Sequence, residues 1–221
     1  MANVICVDGP AASGKSTVSK AVAEKLGYLY VDSGALYRIM TWLALEAGVD
    51  TGKPESIAEF ARDVDVAFVV KGCRVAYEVG GVEPGDRIRT PEINRHVSPV
   101  SALPDVRERV TGWVRDMRRL GDLIVEGRDI GSVVYPDSPW RFYLDADPEE
   151  RARRRLVEDV AKGFADQGAK EQVKASLLNR DKIDSSRKTA PLVVPPGATR
   201  IDTTAMTIAD VVDFIVSAVQ P

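Results

Sequence analysis

Gly9-Pro10-Ala11-Ala12-Ser13-Gly14-Lys15-Ser16, followed by Thr17, is a run whose residue types and spacing suit the holding of a chain of phosphates. The glycines let backbone N–H groups turn inward and approach an anion closely. A helix opening at Ser16 presents its N-terminus to the same anion. Lys15 adds a cation for the β- and γ-phosphates, and the Ser16 hydroxyl is a ligand for Mg²⁺. The whole loop from Gly9 to Thr17 is therefore expected to bind a nucleoside triphosphate. Alone, it leaves a kinase, a GTPase switch and an ATPase open.

Further segments bear on that choice. Asp32-Ser33-Gly34-Ala35-Leu36-Tyr37-Arg38 places polar groups at the C-terminal end of a strand, where ligands bind in doubly wound sheets. Tyr37 and Arg38 fall one turn into the next helix. They face a substrate, or they belong to a capped helix with an exposed arginine. Glu126-Gly127-Arg128-Asp129-Ile130-Gly131 closes another strand toward the same edge. Its arginine and aspartate offer a phosphate clamp and an acceptor, or a salt bridge that braces the loop. Arg151, Arg154 and Arg155 have the i, i+3, i+4 spacing of one helix face, while Arg153 points elsewhere. With Arg180, Asp181, Asp184 and Arg187 they bracket a segment holding Gly163 and Gly168. That suits a lid carrying arginines to a moving phosphoryl group, an effect on the order of 10³–10⁵ in rate. A solvated helix face is the alternative. His96 is the only histidine, which argues against a Ser/Cys–His triad and against a carboxylate–histidine metal cluster.

The hydrophobic pattern supplies elements to position these groups. Asn3–Asp8 reads as a fully buried strand, Ser16–Leu26 as a helix stopped by Gly27, and Tyr28–Val31 as a second strand. Leu123–Glu126, Arg141–Asp145 and Thr199–Asp202 read as three more core strands. Asp147-Pro148-Glu149-Glu150 is a helix start with a capping aspartate, and Thr207 and Asp210 open the last helix. Five strands alternating with helices predict a parallel sheet covered on both faces. Between them, Val64, Val66, Phe68 and Val70, then Val75, Tyr77 and Val79, alternate as in a small antiparallel meander. Val106, Val110, Trp113, Val114 and Met117 form a helical stripe leading back to the core.

At 221 residues the chain suffices for one α/β domain with small insertions. A net charge of -3 argues against nucleic acid as the main partner. No apolar run approaches the roughly 20 residues that cross a bilayer. A strand at the very N-terminus leaves no room for a signal peptide. Cys6 and Cys73 form no CxxC pair and are expected to be free thiols. A cytoplasmic location follows as the expectation.

Taken together, these segments resemble the bacterial cytidylate (CMP) kinase family of P-loop nucleoside monophosphate (NMP) kinases. The resemblance runs from Val4 to the last helix. It is carried by Asp8–Thr17, Asp32–Arg38, Ile88-Arg89-Thr90, Glu126–Gly131 and the Arg180, Asp181, Asp184, Arg187 run. It implies a single α/β domain over 1–221, with a five-stranded parallel sheet in the order 2-3-1-4-5. An NMP-binding insert would span 33–121, with its antiparallel meander near 64–89, and a short helical lid would span 149–187. It implies transfer of the γ-phosphoryl group of Mg²⁺-bound ATP to CMP or dCMP by a monomer. Ser33, Ser98, Arg107 and Asp129 would read the cytosine. Arg38, Arg89 and Arg128 would hold the monophosphate near Tyr37, and Asp184 and Arg187 would reach the ribose. Lys15, Arg128 and the lid arginine Arg180, or else Arg151, would act at the transferred group. Thr203 and Thr204 would lie by the adenine. Against a GTP switch, the chain has no Asn-Lys-x-Asp run.

Overall fold

The computed structural model describes residues 2–219. Strand β1 (Val4–Asp8) is buried along its whole length. Its side chains alternate between two cores, with Val4 and Cys6 on one face and Ile5 and Val7 on the other. That alternation is the period of a strand buried on both sides. Around it lie β2 (Leu29–Asp32), β5 (Leu123–Gly127), β6 (Trp140–Asp145) and β7 (Thr199–Asp202). All are parallel and follow the order β2-β5-β1-β6-β7. This is the expected five-strand arrangement.

The meander departs from expectation. It is a hairpin of β3 (Ala67–Lys71) and β4 (Arg74–Glu78), not a separate small sheet. β4 adds to the edge of β2 through Tyr30 opposite Arg74, so one mixed sheet runs β3-β4-β2-β5-β1-β6-β7. Gly72, at φ 58°, supplies the left-handed backbone that the turn needs. Val64 and Val66 are buried ahead of the hairpin, and Gly85–Arg89 is a tight helical turn, not a strand.

Helix α1 (Lys15–Leu26) and α8 (Ile208–Val219) cover one face with Val18, Val22, Val211, Val212 and Ile215. The other face is covered by α2 (Ser33–Glu46), α3 (Pro54–Asp63), α4 (Pro91–Ser101) and α5 (Pro104–Asp116). The last two open with proline at their first position, where no N–H partner is lost. Helices α6 (Pro148–Ala161) and α7 (Lys170–Ser186) pack on each other beyond the C-terminal ends of the strands. Asp147 caps α6 as expected, accepting from the Glu149 N–H at 2.8 Å. Glu150 does not complete a capping box but turns to Arg153 and Arg154, leaving the Asp147 N–H to the Thr204 hydroxyl. Thr207 and Asp210 do form the reciprocal pair at the last helix.

Ile124 is fully buried at the centre of the sheet. Ile124→Ala is expected to lower unfolding free energy by about 2–5 kcal/mol in urea titration, since a cavity adds to the lost transfer energy. A change near zero would show that the centre of the sheet is not the close-packed core.

Candidate active site

The phosphate loop is shaped by close approach. Gly9 has φ 145°, and a Cβ there would lie 2.0 Å from the Leu144 carbonyl oxygen, so no other residue fits. Ala12 adopts φ 60°, a strained conformation for a residue with a Cβ. Gly14 opens α1 with φ 93° and no side-chain cap, so the N–H groups of the first turn face the loop. Lys15 Nζ donates to the Pro10 carbonyl at 2.6 Å across the loop. The Ser16 hydroxyl stands beside Glu126 and Tyr30. Thr203 Oγ1 lies 3.1 Å from the Ser13 carbonyl oxygen and accepts from Arg154.

This loop lines a cleft of about 1090 Å³ over the C-terminal edge of the sheet. Ten lysine and arginine side chains border it against five carboxylates, an excess that calls for a polyanion. Several of these cations are held at a cost. Burial, then Arg128, pushes Lys15 down to about 7. Burial, then Arg180 and Arg89, pushes Arg38 below the usual guanidinium range, and burial with Arg128 does the same to Arg180. Each shift means that an arriving anion would be favoured.

The predicted residues beyond the loop converge on the same edge. The Ser33 hydroxyl donates to the Glu126 carbonyl at 2.7 Å. Arg89 pairs with Asp32 at 2.8 Å, and Arg38 donates to the Ile88 carbonyl at 3.1 Å. Arg107 and Asp129 form an ion pair whose side chains are only 3% and 5% exposed. Arg107 also lies over the Tyr37 ring, 5.2 Å from its centroid. Arg187 joins Asp129 at 3.5 Å and Asp184 at 3.8 Å. Asp184 further pairs with Arg128 at 3.1 Å and Arg180 at 4.0 Å. Of the two readings weighed for Arg128 and Asp129, the bracing ion pairs are present, and Gly127 and Arg128 also line the cleft. Within this network Arg107 Nε, Arg180 Nε and Arg187 Nη2 have no hydrogen-bond acceptor among the described residues. Ser98 is buried and lines an adjoining cleft of about 910 Å³ between α4, the loop and α7, which Arg155 and Arg180 also border.

Two arginines of α6 have different surroundings. Arg151 is buried, bonded to Asp181, to the Ala146 carbonyl and, at 3.4 Å, to the Ala11 carbonyl. Its donors are committed to holding α6, α7 and the loop together. Arg155, one turn on, borders both clefts, paired with Glu158 and Asp159 on its own helix. Arg153 is exposed, but it shares Glu150 with Arg154 and borders the same cleft.

A family model described as Cytidylate kinase matches residues 5–221. The chain belongs to the cytidylate kinase family. It is 38% identical to the cytidylate kinase of Limosilactobacillus fermentum over 98% of this chain and 95% of that one. The cytidylate kinase of Limosilactobacillus reuteri is 42% identical, with 96% and 92% covered, and that of Mycolicibacterium paratuberculosis 41%, also with 96% and 92% covered. A crystal structure of an uncharacterized protein from Eubacterium ventriosum has a TM-score of 0.55 at 12% identity, covering 98% of each chain, a likeness of fold alone.

Against that family background, two carboxylates carry structure that the motif reading did not assign. Glu126 is buried at the end of β5, accepting from the Tyr30 hydroxyl at 2.6 Å, with its pKa raised by burial and by Asp32. Asp8 ends β1 and binds two backbone N–H groups of the Arg128–Asp129 turn. Both stand inside quoted segments, but only the paired strands reveal what they touch.

The depressed Lys15 predicts a proton linkage. Its ammonium is disfavoured by burial and by Arg128, so a bound triphosphate must raise its pKa and draw in a proton. Calorimetry with magnesium-free ATP near pH ~8 in two buffers of different ionisation enthalpy should show net proton uptake, absent in Lys15→Met. Proton release, or uptake unchanged in the variant, would contradict this.

Proposed function

We propose that this member of the cytidylate kinase family transfers the γ-phosphoryl group of Mg²⁺-bound ATP to CMP and dCMP by in-line displacement. The observation that carries the reading is the joining of the phosphate loop to the Arg107–Asp129–Arg187–Asp184–Arg128 network at one cleft edge. The loop from Gly9 to Thr17 would hold the ATP phosphates, with Thr203 and Thr204 near the adenine. Arg38, Arg89 and Arg128 would hold the CMP phosphate beside Tyr37. Ser33, Ser98, Arg107 and Asp129 would read the cytosine, and Asp184 and Arg187 would reach the ribose. An acceptor phosphate oxygen is already ionised, so no general base is needed. The work left to the protein is orientation and neutralisation of moving charge.

The donor set by the loop fits magnesium. The Ser16 hydroxyl and the Glu126 carboxylate are hard oxygens on the phosphate side, and the crowding of Glu126 by Asp32 would be eased by a cation. Bound there, the ion would draw charge from the β- and γ-oxygens. Arg180 would follow the transferred group, a reading supported by its position bordering the cleft. Arg151 supports it from below through Asp181, the residue after Arg180. The segment 33–121 would then act as the NMP-binding insert and 149–187 as the lid, closing to exclude water. Among the described residues no helix is long and apolar enough to cross a membrane. We take the chain to act as a cytoplasmic monomer.

Initial rates with CMP, dCMP, UMP and AMP test the reading, with CMP and dCMP expected to be far the best acceptors. Phosphorylation of UMP or AMP in preference to CMP would overturn it. Lys15→Ala should lose mainly kcat, by at least about a hundredfold, because its charge acts on the moving phosphoryl group. Asp129→Ala should raise the CMP KM and narrow the CMP-over-UMP preference by at least about tenfold, since a buried reader of base polarity is lost.

A further inference from the structure

Asp8 is fully buried. Its two oxygens each accept one backbone N–H, from Ile130 and from Gly131, both at 2.8 Å. Those two residues immediately follow Arg128 and Asp129. At the other end of the same turn, Gly127 stands opposite Asp8 in the β1–β5 ladder. One residue thus ties both ends of the turn, with its backbone at Gly127 and its side chain at Ile130 and Gly131. The turn has little room to shift otherwise. A Cβ on Gly127 would lie 2.6 Å from the Ser33 hydroxyl and 2.7 Å from the Ile130 side chain.

The choice of aspartate is costly and therefore informative. Burial pushes Asp8 up to about 7, opposed by the Gly131 and Ile130 N–H groups. A hydroxyl or an amide would be cheaper to bury. An aspartate gives each of the two converging N–H groups its own acceptor oxygen. The next residue, Gly9, opens the phosphate loop.

We infer that Asp8 is a positioning residue for the acceptor nucleotide, its carboxylate fixing the turn that carries Arg128 and Asp129 in register with the triphosphate loop. The inference rests on the roles given above to Arg128 and Asp129. Donor and acceptor halves of the site then share a single hinge-free anchor at the end of β1. An error in that anchor would misplace the CMP while leaving the ATP cradle intact.

Asp8→Asn tests this, because asparagine keeps one acceptor oxygen and turns an NH₂ group toward the second N–H. The CMP KM should rise about tenfold or more and the CMP-over-UMP preference should fall, with the ATP KM held within about twofold. Equal rises in both KM values, or no change in either, would overturn the inference. Ser138→Ala removes a 2.6 Å hydrogen bond to Val4 at the opposite end of β1 and serves as the stability control. It should lower Tm without touching the CMP KM; if it reproduces the Asp8→Asn pattern, Asp8 acts through stability alone. Should Asp8→Asn not fold, hydrogen exchange in the unaltered protein decides. Slow exchange at the Ile130 and Gly131 amides supports the clamp, and exchange as fast as in exposed loops overturns it. Asp129→Ala separates the two levels of argument. If it leaves base preference unchanged, the reading of Asp129 falls and the Asp8 inference is judged on the CMP KM alone.

Discussion

The constraint on which this structure turns is the burial of many cations at one end of a parallel sheet. An isolated buried charge is expensive, and like charges near it raise the cost. Lys15, Arg38 and Arg180 are all pushed toward their neutral forms by burial first and by neighbouring arginines next. The carboxylates are shared out among the remaining arginines. Asp32 faces Arg89, Asp129 faces Arg107 and Arg187, and Asp184 faces Arg128, Arg180 and Arg187. The unbalanced remainder is positive and lies beside the loop. In the proposed reaction two nucleotides would bring the missing negative charge, so substrate binding would relieve a stress that folding created.

Holding that stress requires a stiff frame. β1 and β5 are buried on both faces, and each C-terminal end delivers a functional turn. α1 follows β1 through the phosphate loop and α2 begins where β2 ends, so their N-termini face the same cleft. The hairpin β3–β4 is part of the frame, because Tyr30 opposite Arg74 makes it an extension of the main sheet. The Tyr77 hydroxyl then reaches back 3.0 Å to the Asp32 carbonyl, at the start of the α2 turn. The inserted segment therefore braces the residue that pairs with Arg89. A free-standing small sheet could not do so.

What was legible in the sequence follows from the range of each interaction. The five parallel strands and the phosphate loop are local patterns, and their bounds fall within one or two residues of the expected ones. The helix start at Asp147 was equally local. The capping-box role of Glu150 was not realised, because Arg153 and Arg154 offered it a charged alternative that spacing alone does not rank. The alternation at Val64–Val70 marked buried positions at Val64 and Val66 only, since Phe68 is half-buried and Val70 exposed, and it placed the strand too early. Hydrophobic period records burial and not hydrogen bonding, and Val64 and Val66 are buried without ladder partners. The division of labour between Arg151 and Arg155 lay furthest from view. They share a helix face, yet one meets Asp181 and a carbonyl of the loop while the other borders open space.

The buried carboxylates show how one residue type is given distinct tasks by its donors. Asp129 and Asp184 meet guanidiniums, so each is part of a charged network that the proposed acceptor nucleotide would enter and rearrange. Glu126 meets a tyrosine hydroxyl and the Ser16 hydroxyl, leaving it with capacity for a cation. Among the described residues, the hydrogen-bond donors to Asp8 are backbone N–H groups alone. Backbone donors cannot swing away as an arginine can, so a carboxylate bound to them fixes geometry and exchanges no partners when ligand arrives. The mobile pairs and the immobile one lie on the two sides of a single turn. In the roles proposed for them, Arg128 and Asp129 would respond to substrate while the residues just after them are held still.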